Sequence, residues 1–273
     1  MRKLFVSLIL LSIISIASAE FTLESVNVKV SNIGSDGSAK VQESIKFLVK
    51  GNQSKLLYDS GFKTTDDLSF WTNITKIKDV RQHVNPSVVS ISNFRLQPQP
   101  RSGCNPFVDF CHGELLIDYT VKPEYNGSVI VNGTGLFLVD EYKPRTTRFT
   151  LNPEALSFTN TDAGNLILEP EIYLTLELPQ GSKVIEVNPS PVTDSVTDSV
   201  EELVWNDMVL VRFSLIYDVE ESIDLEVSRF FSDALSDFQD TVRSQHGMAF
   251  IAIMAILVGS YIYINVSKKK REE

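Results

Sequence analysis

The sequence predicts a mainly β protein: an antiparallel β-sandwich ectodomain, of one or two sandwiches, then a juxtamembrane amphipathic helix and one C-terminal transmembrane helix. Three observations predict it. Short runs of alternating apolar and polar residues recur between Gly, Pro and Asn turns. The apolar period changes to steps of three and four after Glu221. Nineteen residues from Met248 to Val266 then pass without a charge.

The chain opens with Arg2 and Lys3, an apolar run from Leu4 to Ile16, and Ala17-Ser18-Ala19. A charged start, a short apolar middle and a small-x-small end predict a secretory signal peptide over 1–19. The competing reading, an uncleaved anchor, would need a longer apolar run. The β-rich ectodomain is expected over 20–220. Phe21, Leu23, Val26, Val28 and Val30 alternate with polar residues, Gly34 to Ser38 supply a turn, and Val41, Ile45, Phe47 and Val49 follow. That is a hairpin. Gln97 to Pro106 is Pro-rich and marks either a domain boundary or a long loop.

Asn132-Gly133, between Ser128–Val131 and Gly135–Val139, predicts a second hairpin. Further strands are expected over 115–121, 147–151, 171–178, 183–187 and 208–217. With no amphipathic helix between them, a sandwich is favoured over a βαβ fold. Phe70-Trp71 and Trp205 read as core or edge aromatics.

Beyond the strands, Ile223, Val227, Phe230, Ala234, Phe238 and Val242 recur at helical spacing, with Asp233, Asp237 and Asp240 on another face. This predicts the juxtamembrane helix over 221–246. Its apolar stripe could be covered by the ectodomain, by the same helix of a second copy, or by lipid, and its acidic face argues against lipid. The run 248–266 is about 28 Å long as a helix, enough to span hydrocarbon. Lys268, Lys269, Lys270 and Arg271 follow in the tail 267–273 and form a cytoplasmic anchor. A tail ending in Arg271-Glu272-Glu273 does not suit a lipid-anchor signal. The expected topology is type I and single-pass in the cell membrane, with the ectodomain outside.

Net charge divides along the same line. The whole chain carries −10, and setting aside the two N-terminal cations and the tail, with four cations and two anions, leaves −14 outside. An acidic exterior is soluble and excludes nucleic acid as a partner class. The two cysteines, Cys104 and Cys111, are expected to form a disulfide across a short exposed loop. Four outer sequons, at Asn52, Asn73, Asn126 and Asn132, are N-glycosylation candidates that should mark surface turns; Asn132 serves a hairpin turn equally well. A fifth match, Asn265, lies at the inner end of the span and should stay bare.

Catalytic and metal patterns are not evident. Thr193-Asp-Ser-Val196 repeats as Thr197-Asp-Ser-Val200 but lacks the spacing and glycine of a calcium loop, and reads as a solvated loop. His83, His112 and His246 are far apart, and no nucleophile-elbow, zinc-protease or phosphate-loop motif occurs. No cofactor is implied. Thirty-five acids allow too many pairs to single out a glycosidase-like couple.

Gly37-Ser38-Ala39-Lys40-Val41-Gln42-Glu43-Ser44-Ile45, together with Leu178-Pro179-Gln180-Gly181-Ser182-Lys183-Val184, Pro189 and Trp205, resembles the hairpins of β-sandwich ectodomains in uncharacterised membrane-anchored surface proteins of archaea and bacteria. The resemblance implies a β-sandwich at the cell surface and brings no functional residues with it. The expected function is binding, adhesion or envelope assembly with a protein or glycan partner, or self-association through the juxtamembrane helix. A membrane-tethered extracellular hydrolase and an accessory subunit of a larger membrane complex are the alternatives. A polar cleft with perturbed carboxylates would favour the hydrolase, and an exposed apolar patch would favour binding.

Overall fold

The computed structural model describes residues 19–64, 66–105, 107, 109–127, 129–143, 145–192 and 202–220. The expected signal peptide up to Ser18, the acidic repeat 193–200, the helix 221–246, the span 248–266 with Asn265, and Lys268, Lys269, Lys270 and Arg271 of the tail lie outside these residues.

β1 (Glu20–Ser31) and β2 (Ala39–Lys50) form the expected antiparallel hairpin, closed by a Gly34 N–H to Ser38 carbonyl bond of 2.7 Å. β5 (Phe110–Lys122) adds to β2, and β3 (Ser90–Pro98) and β4 (Ser102–Asn105) both pair with β5. On the other side, β11 (Leu166–Glu177) runs parallel to β1. β10 (Thr159–Asn160) and β13 (Glu202–Leu210) pair antiparallel with β11. The eight-stranded sheet is therefore mixed, which corrects the expectation of a wholly antiparallel fold. A parallel pair cannot be joined by a tight hairpin, and here it closes over a long separation in sequence that no local signal announces.

A second sheet has the order β12-β14-β9-β8, from β8 (Phe137–Lys143), β9 (Thr146–Leu151), β12 (Ser182–Asn188) and β14 (Ser214–Glu220). The single strand expected over 208–217 is thus two strands in different sheets. A turn at Val211-Arg212 divides them, with Arg212 at φ 49° and both carbonyls bonded by the Asn188 side chain. Phe149 and Tyr217 stack at 5.0 Å, and the buried apolar residues of both sheets belong to one cluster.

Two α-helices occur among the described residues, where none was expected. The buried face of α1 (Gly51–Thr64) is Ser54, Tyr58 and Gly61, which shows no apolar stripe in sequence. Tyr58 seats over Gly113 of β5, where a Cβ would lie 2.6 Å from its ring, and its hydroxyl donates to the Gln99 carbonyl at 2.6 Å. Burial pushes the Tyr58 phenol up to about 12. α2 (Leu68–Thr75) starts at the Asp67 cap and stops at Lys76 in the left-handed region. It buries Trp71 against Tyr58, so Trp71 and Trp205 are both core residues.

Strand register aligns Trp205, Leu174, Val28, Glu43, Ile117 and Leu96 in one row across six strands, none more than 5% exposed. Glu43 is the one polar member. Its carboxylate accepts from the His83 backbone N–H at 2.9 Å and from the Tyr119 hydroxyl, and lies 2.8 Å from His83 Nδ1. With the proton on Nδ1, all three groups donate to one buried acid. Burial first, and the Glu43 charge second, hold the Tyr119 phenol well above its ordinary value. His83 lies between α2 and β3, so this contact pins the connection 76–89 to the sheet.

Truncating either end of that contact should leave buried polar groups unpaired and open a cavity. His83→Ala and Glu43→Ala should each lower the unfolding free energy by about 2–4 kcal/mol, and Tyr119→Phe by about 1–2 kcal/mol. Urea denaturation would measure these losses; equal stability of all three variants and the parent would contradict the assignment.

Candidate binding surface

Along β1, β2 and β5 the outward face is charged and self-paired: Lys29 with Glu177, Lys40 with Asp118, Lys46 with Glu114, and Lys50 with Glu20. The segment after β5 departs from this pattern. β6 (Tyr125–Asn126) and β7 (Val129–Ile130) form a small hairpin in which Tyr125 is 47%, Val129 68%, Ile130 40% and Val131 38% exposed. Two-residue strands are too short to bury a face of their own. Here the apolar side chains of both strands remain in solvent.

The hairpin corrects the expected one. Asn132-Gly133 does turn, with Gly133 at φ 78° and the Thr134 N–H 3.2 Å from the Val131 carbonyl, but it joins no strand pair. Val129 and Ile130 instead fold back on Asn126 and Tyr125 across Gly127, at φ 67°. The chain has two Asn-Gly dipeptides, at 126 and 132, and the first takes the hairpin. Beyond the second, Phe137 and Val139 pair with Leu151 and Phe149 of β9, which buries Phe137 completely and offers more than a short ladder with β7.

The base of the hairpin is tied down at several points. The Val131 N–H donates to the Glu124 carbonyl at 2.8 Å, and the Glu124 N–H to the Thr134 hydroxyl at 3.0 Å. The Asn152 amide donates to the carbonyls of Gly133 and Gly135, and the Gly135 N–H reaches the Val88 carbonyl at 3.0 Å. Gly37, in the β1–β2 turn, packs so closely that a Cβ would meet the Phe137 carbonyl oxygen at 2.4 Å. The Tyr125 hydroxyl donates to Asp36 of that same turn at 3.3 Å.

A groove opens on each side of this ridge. One, of about 570 Å³, is lined by Pro86, Ile91, Lys122 and Tyr125 among others; the second, of about 370 Å³, by Asp36, Ile130, Val131, Leu138 and Asp140. Partial burial pushes the Asp36 carboxyl up, and hydrogen bonds from the Ser38 hydroxyl, the Ser38 amide and Tyr125 outweigh it, holding the acid below the usual carboxylate range. Tyr125 and Asp36 were not singled out in the sequence. A Tyr directly before Asn-Gly was the available signal.

All four sequon asparagines, Asn52, Asn73, Asn126 and Asn132, are exposed. Asn126 and Asn132 flank the apolar ridge. Asn52 and Asn73 lie on α1 and α2 rather than on the expected surface turns. Cys104 and Cys111 form the disulfide, joining β4 to the start of β5, whereas the ridge follows its end. His83 is wholly buried and His112 pairs with Glu24 at 2.7 Å, so the structure does not bring the two together. Among the described residues, no group of three or more His, Cys, Asp or Glu side chains is arranged to hold a metal ion.

No family model matches this chain, and no curated protein sequence matches it. Among solved structures, yeast LTA4 hydrolase in complex with bestatin aligns over 74% of this chain and 29% of its own, at 7% identity and a TM-score of 0.30. A likeness at that level carries no argument about fold or activity here.

Asp36 titrates below its unfolded value of about 3.9, so its hydrogen bonds stabilise the ridge base at neutral pH and that contribution disappears as pH falls through the lowered value. Asp36→Ala should therefore reduce hydrogen-exchange protection at Val131 near pH 7. The difference from the parent should close in acid. A gap that persists unchanged below the carboxylate range would refute this role.

Proposed function

We propose that the chain is a single-span, type I membrane-anchored surface protein whose β-rich ectodomain binds a protein partner through the Tyr125–Val131 ridge. The observation that carries this reading is the exposure of Val129, Ile130 and Val131 on a rigidly based hairpin, against a surface whose broad sheet face is charged and self-paired. A sugar would ask for a flat aromatic face and convergent polar groups. Adjacent aliphatic side chains suit an apolar depression on a protein. The groove acid Asp36 sits below, not above, its ordinary range, the opposite of a carboxyl tuned as a general acid.

Two sheets with a shared apolar core support the packed-sheet, sandwich-like reading of the ectodomain. In the second sheet, Phe137 lies at the ridge end, while Lys143, Thr146 and Glu220 lie together at the other. The chain leaves the described residues there, about 20 Å along the strands from the ridge.

Two experiments test the proposal. Carbonate-resistant retention in membranes, with external protease digesting the bulk of the chain on intact cells, is expected for the topology; release by carbonate would sink it. A photo-crosslinker at position 129 of the full chain should give one discrete protein adduct in native membranes, and Ile130→Asp should abolish it without lowering the melting temperature. A glycan on Asn126 would sit beside Val129, its cross-strand partner. Full occupancy of that site together with no adduct would show a shielded ridge and overturn the binding role.

A further inference from the structure

The disulfide has an asymmetric setting. Cys104, in β4, is exposed, whereas Cys111, in β5, is 1% exposed on the inward side of the sheet. One cation serves both sulfurs: Arg101 Nη1 lies 3.1 Å from Cys111 Sγ and 3.7 Å from Cys104 Sγ. The guanidinium is held in place by Asp59 of α1 through two 2.7 Å hydrogen bonds, and that pairing keeps the Asp59 carboxyl below its usual range. The cation is thus fixed, close to the sulfur that solvent does not reach. A neighbouring guanidinium stabilises a thiolate. In exchange, the accessible sulfur is the one attacked and the better-stabilised thiolate leaves faster.

We propose that Cys104–Cys111 is a thiol–disulfide exchange site, in which an external thiolate attacks Cys104 Sγ and Cys111 departs as a thiolate held by Arg101. The attacking sulfur forms a new S–S bond to Cys104, and the electron pair of the broken bond goes to Cys111 Sγ. No proton moves in that step. A second thiolate of the reductant then attacks its own sulfur in the mixed disulfide, and that electron pair goes to Cys104. The protein disulfide has gained two electrons, and the reductant has become a disulfide. The inference stands apart from the ridge and does not depend on a binding partner there.

The test uses the full chain in native membranes, treated with reduced glutathione, quenched with iodoacetamide and mapped by mass spectrometry. Glutathione should be found on Cys104 and carbamidomethyl on Cys111. Arg101→Gln should slow reduction roughly three- to tenfold, and Arg101→Lys, which keeps the charge, should restore most of the rate. Asp59→Asn keeps one amide oxygen that can still accept from the guanidinium, so it should slow the reaction less than Arg101→Gln does. If Arg101→Lys is as slow as Arg101→Gln, the positive charge is not what speeds the reaction and the proposal fails. Adducts on Cys111, equal rates in the parent and Arg101→Gln, or a disulfide untouched by glutathione and thioredoxin alike would overturn the proposal. A parallel arm with reduced thioredoxin separates a protein dithiol, which should then react much faster than glutathione, from a small thiol, which should match it; either result supports the exchange site.

Discussion

The described fold depends on one buried acid. Glu43 occupies the middle of a six-strand row that is otherwise apolar, and a carboxylate there is tolerable only while its oxygens are hydrogen-bonded. Tyr119, on the neighbouring strand, supplies one donor. The other two come from His83, which is forty positions away and in no regular element. An apolar residue at 43 would pack against many alternatives. A carboxylate accepts few, and so selects one path for the connection between α2 and β3.

That path has consequences beyond the core. Downstream of His83, the same connection pairs Val84 with Leu156, gives the Asn85 N–H to the Ala155 carbonyl, and presents the Val88 carbonyl to Gly135. Gly135 and Gly133 are held in turn by Asn152. The base of the Tyr125–Val131 ridge is therefore connected to Glu43 through a short series of backbone and side-chain hydrogen bonds. A surface of four partly exposed apolar residues keeps a defined shape because a core acid fixes the strap beneath it, which would limit the ordering cost of the proposed binding.

How much of this was legible in the sequence follows the range of each interaction. The β1–β2 hairpin was, since alternation and a Gly-Ser-Asp-Gly turn are both local. So were β5, β9, β11 and β12 in outline, and the disulfide between the two cysteines. α1 was not, because its buried face is Ser54, Tyr58 and Gly61, chosen to fit Gly113 rather than to be apolar. The parallel β1–β11 pair and the division of 208–217 between two sheets are set by distant partners. At the ridge, the turn chemistry was visible in both Asn-Gly dipeptides, and only the competition for Phe137 by β9 decides which becomes a hairpin. His83 was read as isolated for the same reason: its partner is on β2.

The ridge and the sheet face differ in what an approaching protein would meet. On the broad outer face Lys29, Lys40, Lys46 and Lys50 each have a carboxylate within reach, so apposing a second protein there would disrupt existing pairs and desolvate charges for little gain. The ridge offers the reverse. Its side chains carry no charge to desolvate, its backbone is already satisfied at the base, and the grooves beside it place Lys122 and Glu124 on one flank and Asp36 and Asp140 on the other. In the proposed role, apolar contact would supply the affinity, and a doubly acidic flank opposite a mixed Lys122–Glu124 flank would favour one orientation of the partner. Selectivity of this kind needs little area and no catalytic group.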